Sequence, residues 1–188
     1  IGERVVVCPE WIGYAPAEGE AVVTLDSNMA FGTGEHETTA MCLELLQKYL
    51  KTGDTVVDVG CGSGILGIAA VKLGAAYAYL TDIDYVAVRS AEHNSEKNGT
   101  ADRTKVVLTD LLEGSDVRGD VITANITADI LCRLSESIPR FLKEGGTLIL
   151  SGIIESKLTD VICAYEKAGL ALVEQKRRGE WFALVFGG

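Results

Sequence analysis

Apolar residues recur along this chain in two rhythms. "TVVDVG" (55–60) is a near-continuous apolar run of strand length, the pattern of a strand covered on both faces. "GILGIAAVKLG" follows as a helix closed by Gly74. The alternation then repeats. "AYAYLTD" reads as a strand, "YVAVRSAEHNSEKNG" as a helix stopped at Asn98 and Gly99, "KVVLTD" as a third strand and "DVITANI" as a fourth. "ADILCRLSESIPRFL" predicts one helix with Ile130, Leu134, Ile138 and Phe141 on a single stripe. "EGG" turns into a fifth strand, "TLILSGI", and "ESKLTDVICAYEKAG" makes another helix. Strands and helices in this order predict a parallel sheet with helices on both faces.

The two ends break the alternation. Residues 1–30 read as irregular structure with two short strands, "RVVVC" and "EAVVTL", around a spacer whose proline and glycine mark turns. A helix then starts at Thr38 or Thr39, with Cys42, Leu45, Leu46 and Tyr49 at helical spacing. At the far end "LALVEQ" and "EWFALVF" are joined by the polar turn "KRRG", which is hairpin spacing and adds one antiparallel strand. The expected organisation is an N-terminal segment, 1–30, leading into one α/β domain, 31–188.

Composition changes this picture little. The chain has 188 residues, 47% of them hydrophobic, enough for one core. No apolar run approaches the roughly 20 residues that span a bilayer, and "IGERVVVCPEW" has no cationic leader before an apolar stretch. The chain opens on Ile1, which reads as a fragment of something longer. A net charge of −10 disfavours phosphate backbones and suits a basic partner. Five scattered cysteines with no C-x-x-C pair fit neither a disulfide framework nor a zinc site, so no metal and a reducing, cytoplasmic setting are expected.

The chemistry is carried by two stretches. The strand ending at Val59 runs into Gly60-Cys61-Gly62-Ser63-Gly64, where glycine permits positive φ and the next helix presents unpaired N–H groups. Asp82 and Asp84 end the following strand, and an acid about 20 residues beyond such a loop is placed to accept hydrogen bonds from ribose hydroxyls. A ribose-bearing cofactor is the expectation. Asp84 reads equally as a helix cap. Gly62 to Gly67 formally match the dinucleotide fingerprint, but the glycines start one step earlier, Asp58 sits inside the strand, and the sheet ends in a hairpin.

"VVDVGCGSG" followed by "LTDID" resembles the first two motifs of class I methyltransferases. That resemblance implies a doubly wound, Rossmann-like seven-stranded sheet with an antiparallel C-terminal strand, and S-adenosyl-L-methionine as cofactor. It places Asp82 at the ribose, the loop around Gly60 and Gly62 at the methionine portion, and Asp110-Leu111 near the adenine. Taken with "MAFGTGEHETT", "ANITA" and "LILSGI", the chain from about Trp11 onward is similar to the PrmA family, bacterial methyltransferases of ribosomal large-subunit protein 11.

What this narrower resemblance implies is transfer to lysine side-chain amines, and also to an N-terminal amine. Cofactor contacts are implied at Thr39, Gly60, Asp82 and Asn125. Phe31, Gly32, Thr33 and His36 are implied over the methionine end and the transfer site. Thr38 and Thr39 also read as simple caps, His36 as a structural group, His93 as a solvated one, and Asn125 as a turn former. The chain departs from the family where "SNM" and Glu37 stand in place of a proline-glycine pair and a proline. The family's N-terminal substrate-recognition domain is expected to be missing here. Rival readings are a related amine methyltransferase with another protein or small-molecule target, a nicotinamide-dependent oxidoreductase, and a non-catalytic module on the same fold.

Overall fold

The predicted sheet is present. The computed structural model describes residues 1–26 and 36–188. Strands β1 (Val5–Pro9) and β2 (Ala21–Leu25) pair in parallel as a small separate sheet. The main sheet follows: β3 (Thr55–Val59), β4 (Tyr77–Asp82), β5 (Thr104–Leu108), β6 (Gly119–Asn125), β7 (Leu142–Ile154), β8 (Ala171–Arg178) and β9 (Trp181–Gly187). Its spatial order is β5-β4-β3-β6-β7-β9-β8, with β9 antiparallel to both neighbours and every other pair parallel. The expected seven-stranded α/β architecture with one antiparallel strand near its end is therefore found.

Helices α1 (Glu37–Tyr49) and α2 (Ile65–Leu73) cover one face, together with β1 and β2. Helices α4 (Ala128–Ser135), α5 (Ile138–Phe141) and α6 (Glu155–Lys167) cover the other, while α3 (Tyr85–Lys97) packs near β4 and β5. Because side chains alternate along a strand, the two faces draw on successive residues. Val56, Val121, Ile149, Ala183 and Val185 enter the α1–α2 core. Val57, Ile122, Leu148, Leu150, Leu184 and Phe186 enter the other. Both sides of each central strand are buried, which is why those strands read as continuous apolar runs.

Five expectations need correcting. The stretch 128–142 is two helices, because Ser135 and Ser137 turn their hydroxyls back onto the carbonyls of Cys132 and Leu134, and Pro139 brings no N–H. The buried stripe there includes Leu131, while Ile130 is 36% exposed. Helix α1 starts at Glu37 and is capped by His36, not by a threonine. "EGG" lies inside β7 as an irregularity, the β6–β7 register jumping between Gly119↔Leu142 and Val121↔Thr147, and "KRR" belongs to β8, so the final turn is only Gly179-Glu180.

The chain leaves β3 toward β4 and β5 on one side, then returns to place β6 on the other. The sheet's direction of winding thus reverses between β3 and β6, and a crevice opens at their carboxyl ends.

Candidate functional site

A cavity of about 630 Å³ occupies that crevice. Its floor is the glycine loop. The N–H groups of Gly60 and Cys61 both donate to the Thr81 carbonyl, at 2.8 and 2.9 Å, which bends the chain sharply off β3. Gly60 has φ +70, and a Cβ there would lie 2.4 Å from Ile126 Cγ2, so only glycine fits. Helix α2 begins at once behind a glycine cap that has no side chain to bond its N–H groups.

Asp58 supplies what that cap lacks. Fully buried, it accepts from Gly67 N–H at 3.1 Å and from the Thr123 hydroxyl at 2.8 Å. Burial pushes its carboxyl up to about 6 despite those two bonds, and nearby Asp82 adds to the rise. Asp82 ends β4 with both oxygens engaged, Oδ2 accepting from Gly62 N–H at 2.9 Å and Oδ1 from Asp84 N–H at 3.0 Å. A carboxylate offers about four acceptor positions, so Asp82 keeps capacity toward the cavity it lines. Asp84 caps α3 by accepting from Val86 N–H at 2.8 Å.

The opposite wall comes from α1, β6 and β9. Asn125, at the end of β6, donates to the hydroxyl of buried Thr39 at 3.2 Å. His36 caps α1, its Nδ1 2.8 Å from the Thr38 hydroxyl and 3.4 Å from Thr38 N–H, with its ring edge-on to Trp181 at 5.2 Å. The far end is closed by Asp110, ion-paired with Arg133 at 2.5 Å, and by Leu111. Among the described residues Leu111 is the one non-glycine with positive φ (50°), a strained backbone of the sort found at functional sites.

His36, Thr39, Gly60, Gly62, Asp82, Asp110 and Asn125 thus line one cavity. Phe31, Gly32 and Thr33 lie outside the described residues. Sequence reasoning missed Trp181, Arg133 and Ile130, which also line it. Trp181 and Arg133 carry no local mark, since contacts with His36 and Asp110 place them, while Ile130 was read as part of a buried helix stripe. Among the described residues one trio of metal-type donors gathers, Glu10, Asp26 and His93, but it lies outside this cavity and Glu10 is already paired with Lys97. No described helix is long and apolar enough to cross a membrane.

Comparison with known proteins gives a consistent outcome. The family described as ribosomal protein L11 methyltransferase (PrmA) matches residues 1–187. A ribosomal protein L11 methyltransferase of Pelotomaculum thermopropionicum is 48% identical over 98% of this chain and 60% of its own length. One of Caldicellulosiruptor bescii is 46% identical over 97% of this chain and 59% of its own. The chain spans about 60% of the length of these curated relatives. The crystal structure of a ribosomal protein L11 methylase from Lactobacillus delbrueckii subsp. bulgaricus superposes with a TM-score of 0.93 at 34% identity, covering 98% of this chain and 95% of that one. By sequence along almost its whole length, and by fold, this chain belongs to the ribosomal protein L11 methyltransferase family.

Proposed function

We propose that this domain moves methyl groups from S-adenosylmethionine to amines of ribosomal large-subunit protein 11, at lysine side chains and at an N-terminal amine. One observation carries the reading: a single cavity joins the glycine loop and Asp82 on one side to the Asn125–Thr39 pair on the other. Family membership supports the target.

The lining residues fit this cofactor. The close backbone approach at Gly60 suits the amino-acid portion, and the acceptor capacity of Asp82 suits a ribose. When bound, the cofactor supplies a methyl group already made electrophilic by its sulfonium. The chain's residues then have two tasks, alignment and exclusion of water. Asn125, fixed by Thr39, orients the incoming nitrogen. Lysine has a reference pKa of about 10.4 and must arrive neutral; the apolar walls of Trp181, Ile126 and Ile130 disfavour its charged form. His36 flanks the transfer site and holds α1 in place through its cap; Phe31, proposed for the same site, lies outside the described residues. Residues 31–188 are the transfer domain, and 1–30 the segment leading into it.

Calorimetric titration with S-adenosylmethionine, with NAD as control, tests the cofactor. Binding of the former alone, lost in Asp82→Ala, is expected. Binding of NAD alone would replace this reading with the oxidoreductase one.

A further inference from the structure

The glycine loop rests on α3. A Cβ at Gly64 would meet the Ala91 Cβ at 3.0 Å, so loop and helix are in direct backbone contact. Three residues along, Asn94 is fully buried and its amide is used at both ends. Nδ2 donates to the Ser63 carbonyl, inside the glycine loop, at 2.9 Å. Oδ1 accepts from the Asp26 N–H, just beyond β2, at 3.1 Å. One helical turn further, Asn98 grips β2: Oδ1 accepts from Thr24 N–H at 2.9 Å, and Nδ2 donates to Thr24 O at 2.7 Å and to the Asn94 carbonyl on its own helix at 2.7 Å.

The two asparagines therefore divide the work. Asn98 pairs with β2 as a neighbouring strand would. Asn94 spans from the same edge to the cofactor loop. A side-chain amide carries its donor and its acceptor on two separate atoms in one plane, which suits it to join a carbonyl on one side to an N–H on the other. A carboxylate would face the Ser63 carbonyl with like partial charge, and an apolar side chain would leave two buried backbone groups unpaired.

We infer that Asn94 is a positioning residue of the cofactor cavity, tying the glycine loop to the end of β2. Resting on the proposed S-adenosylmethionine reading, this inference assigns that loop a brace outside the cavity.

Asn98 serves as the internal control, since its side chain makes two bonds to β2, one to the Asn94 carbonyl and none to the loop. The test measures S-adenosylmethionine Kd by calorimetry and Tm without cofactor, on the full chain and on Asn94→Asp, Asn94→Ser and Asn98→Ala. Both Asn94 variants are expected to weaken cofactor binding about tenfold or more, while Asn98→Ala lowers Tm comparably and keeps Kd within about twofold. Should Asn94→Asp not fold, Asn94→Ser carries the comparison. Unchanged Kd in the Asn94 variants, or equal weakening in Asn98→Ala, overturns the inference and leaves the function standing. A wild-type chain that folds and binds no S-adenosylmethionine overturns the functional reading, and the inference falls with it.

Discussion

Asn125 and Thr39 are 86 residues apart in sequence, yet the asparagine's amide donates to the threonine's hydroxyl at 3.2 Å across the mouth of the cavity. The bond fixes the plane of the Asn125 side chain at the end of β6, where the accepting nitrogen is proposed to sit. Asn125→Ala is expected to lower kcat about a hundredfold, with a smaller change in cofactor affinity, because alignment acts mainly in the transition state. Thr39→Val, which keeps shape and removes the hydroxyl, is expected to cost about tenfold. Single-turnover methyl transfer with each variant checks both.

Gly60 tests the floor of the cavity. Its φ of +70 costs a side-chain-bearing residue about 1–2 kcal/mol, and the new Cβ would overlap Ile126 Cγ2 at 2.4 Å. Gly60→Ala is expected to abolish measurable cofactor binding. Adding Ile126→Ala removes the overlap but not the backbone strain, so the double variant should recover part of the affinity in the same titration.

Asp58 predicts a pH dependence. The folded chain keeps the Asp58 proton up to about pH 6, whereas its ordinary value is 3.8. Between those values the folded state holds the extra proton, so this group's contribution to stability falls as pH rises through that window and is level above it. The difference corresponds to about 3 kcal/mol. Asp58→Asn can still accept from Gly67 N–H and donate to the Thr123 hydroxyl. Its stability relative to wild type is therefore expected to climb between pH 4 and pH 7, as read by urea unfolding across that range. A constant difference would refute the assignment.

The cysteines should separate by burial. Burial pushes the Cys42 thiol up to about 12, and burial with Asp58 and Asp82 nearby raises Cys61 as well. Cys163 is exposed. Iodoacetamide at pH 8 should label Cys163 first and leave Cys42 and Cys61 unmodified in the folded chain, although Cys61 lines the cavity. Peptide mapping by mass spectrometry reads the order directly.

What could be read in the sequence was what is local. The glycine loop, Asp82 and the capping role of Asp84 lie in contiguous stretches whose backbone geometry the residue types dictate. The alternation of strands and helices was legible because buried parallel strands leave uninterrupted apolar runs. The break at Ser135–Ser137 was not, since serine hydroxyls bonding back to carbonyls leave no mark on hydrophobic spacing, and the stripe continues past them. Asn94 was passed over, and Asp58 was noted only as an acid inside its strand, for a related reason: their partners are backbone groups, which every residue carries alike, or a threonine 65 residues away. Thr39 and Asn125 came only through the family resemblance, and Trp181 and Arg133 escaped because contacts far along the chain place them.

The most direct measurement incubates this chain with S-adenosylmethionine and purified ribosomal large-subunit protein 11, then maps the methylated positions by mass spectrometry. The account predicts methyl groups on lysine side chains, strongly reduced with Asn125→Ala. A chain that binds the cofactor yet leaves every lysine of that protein unmodified would contradict it.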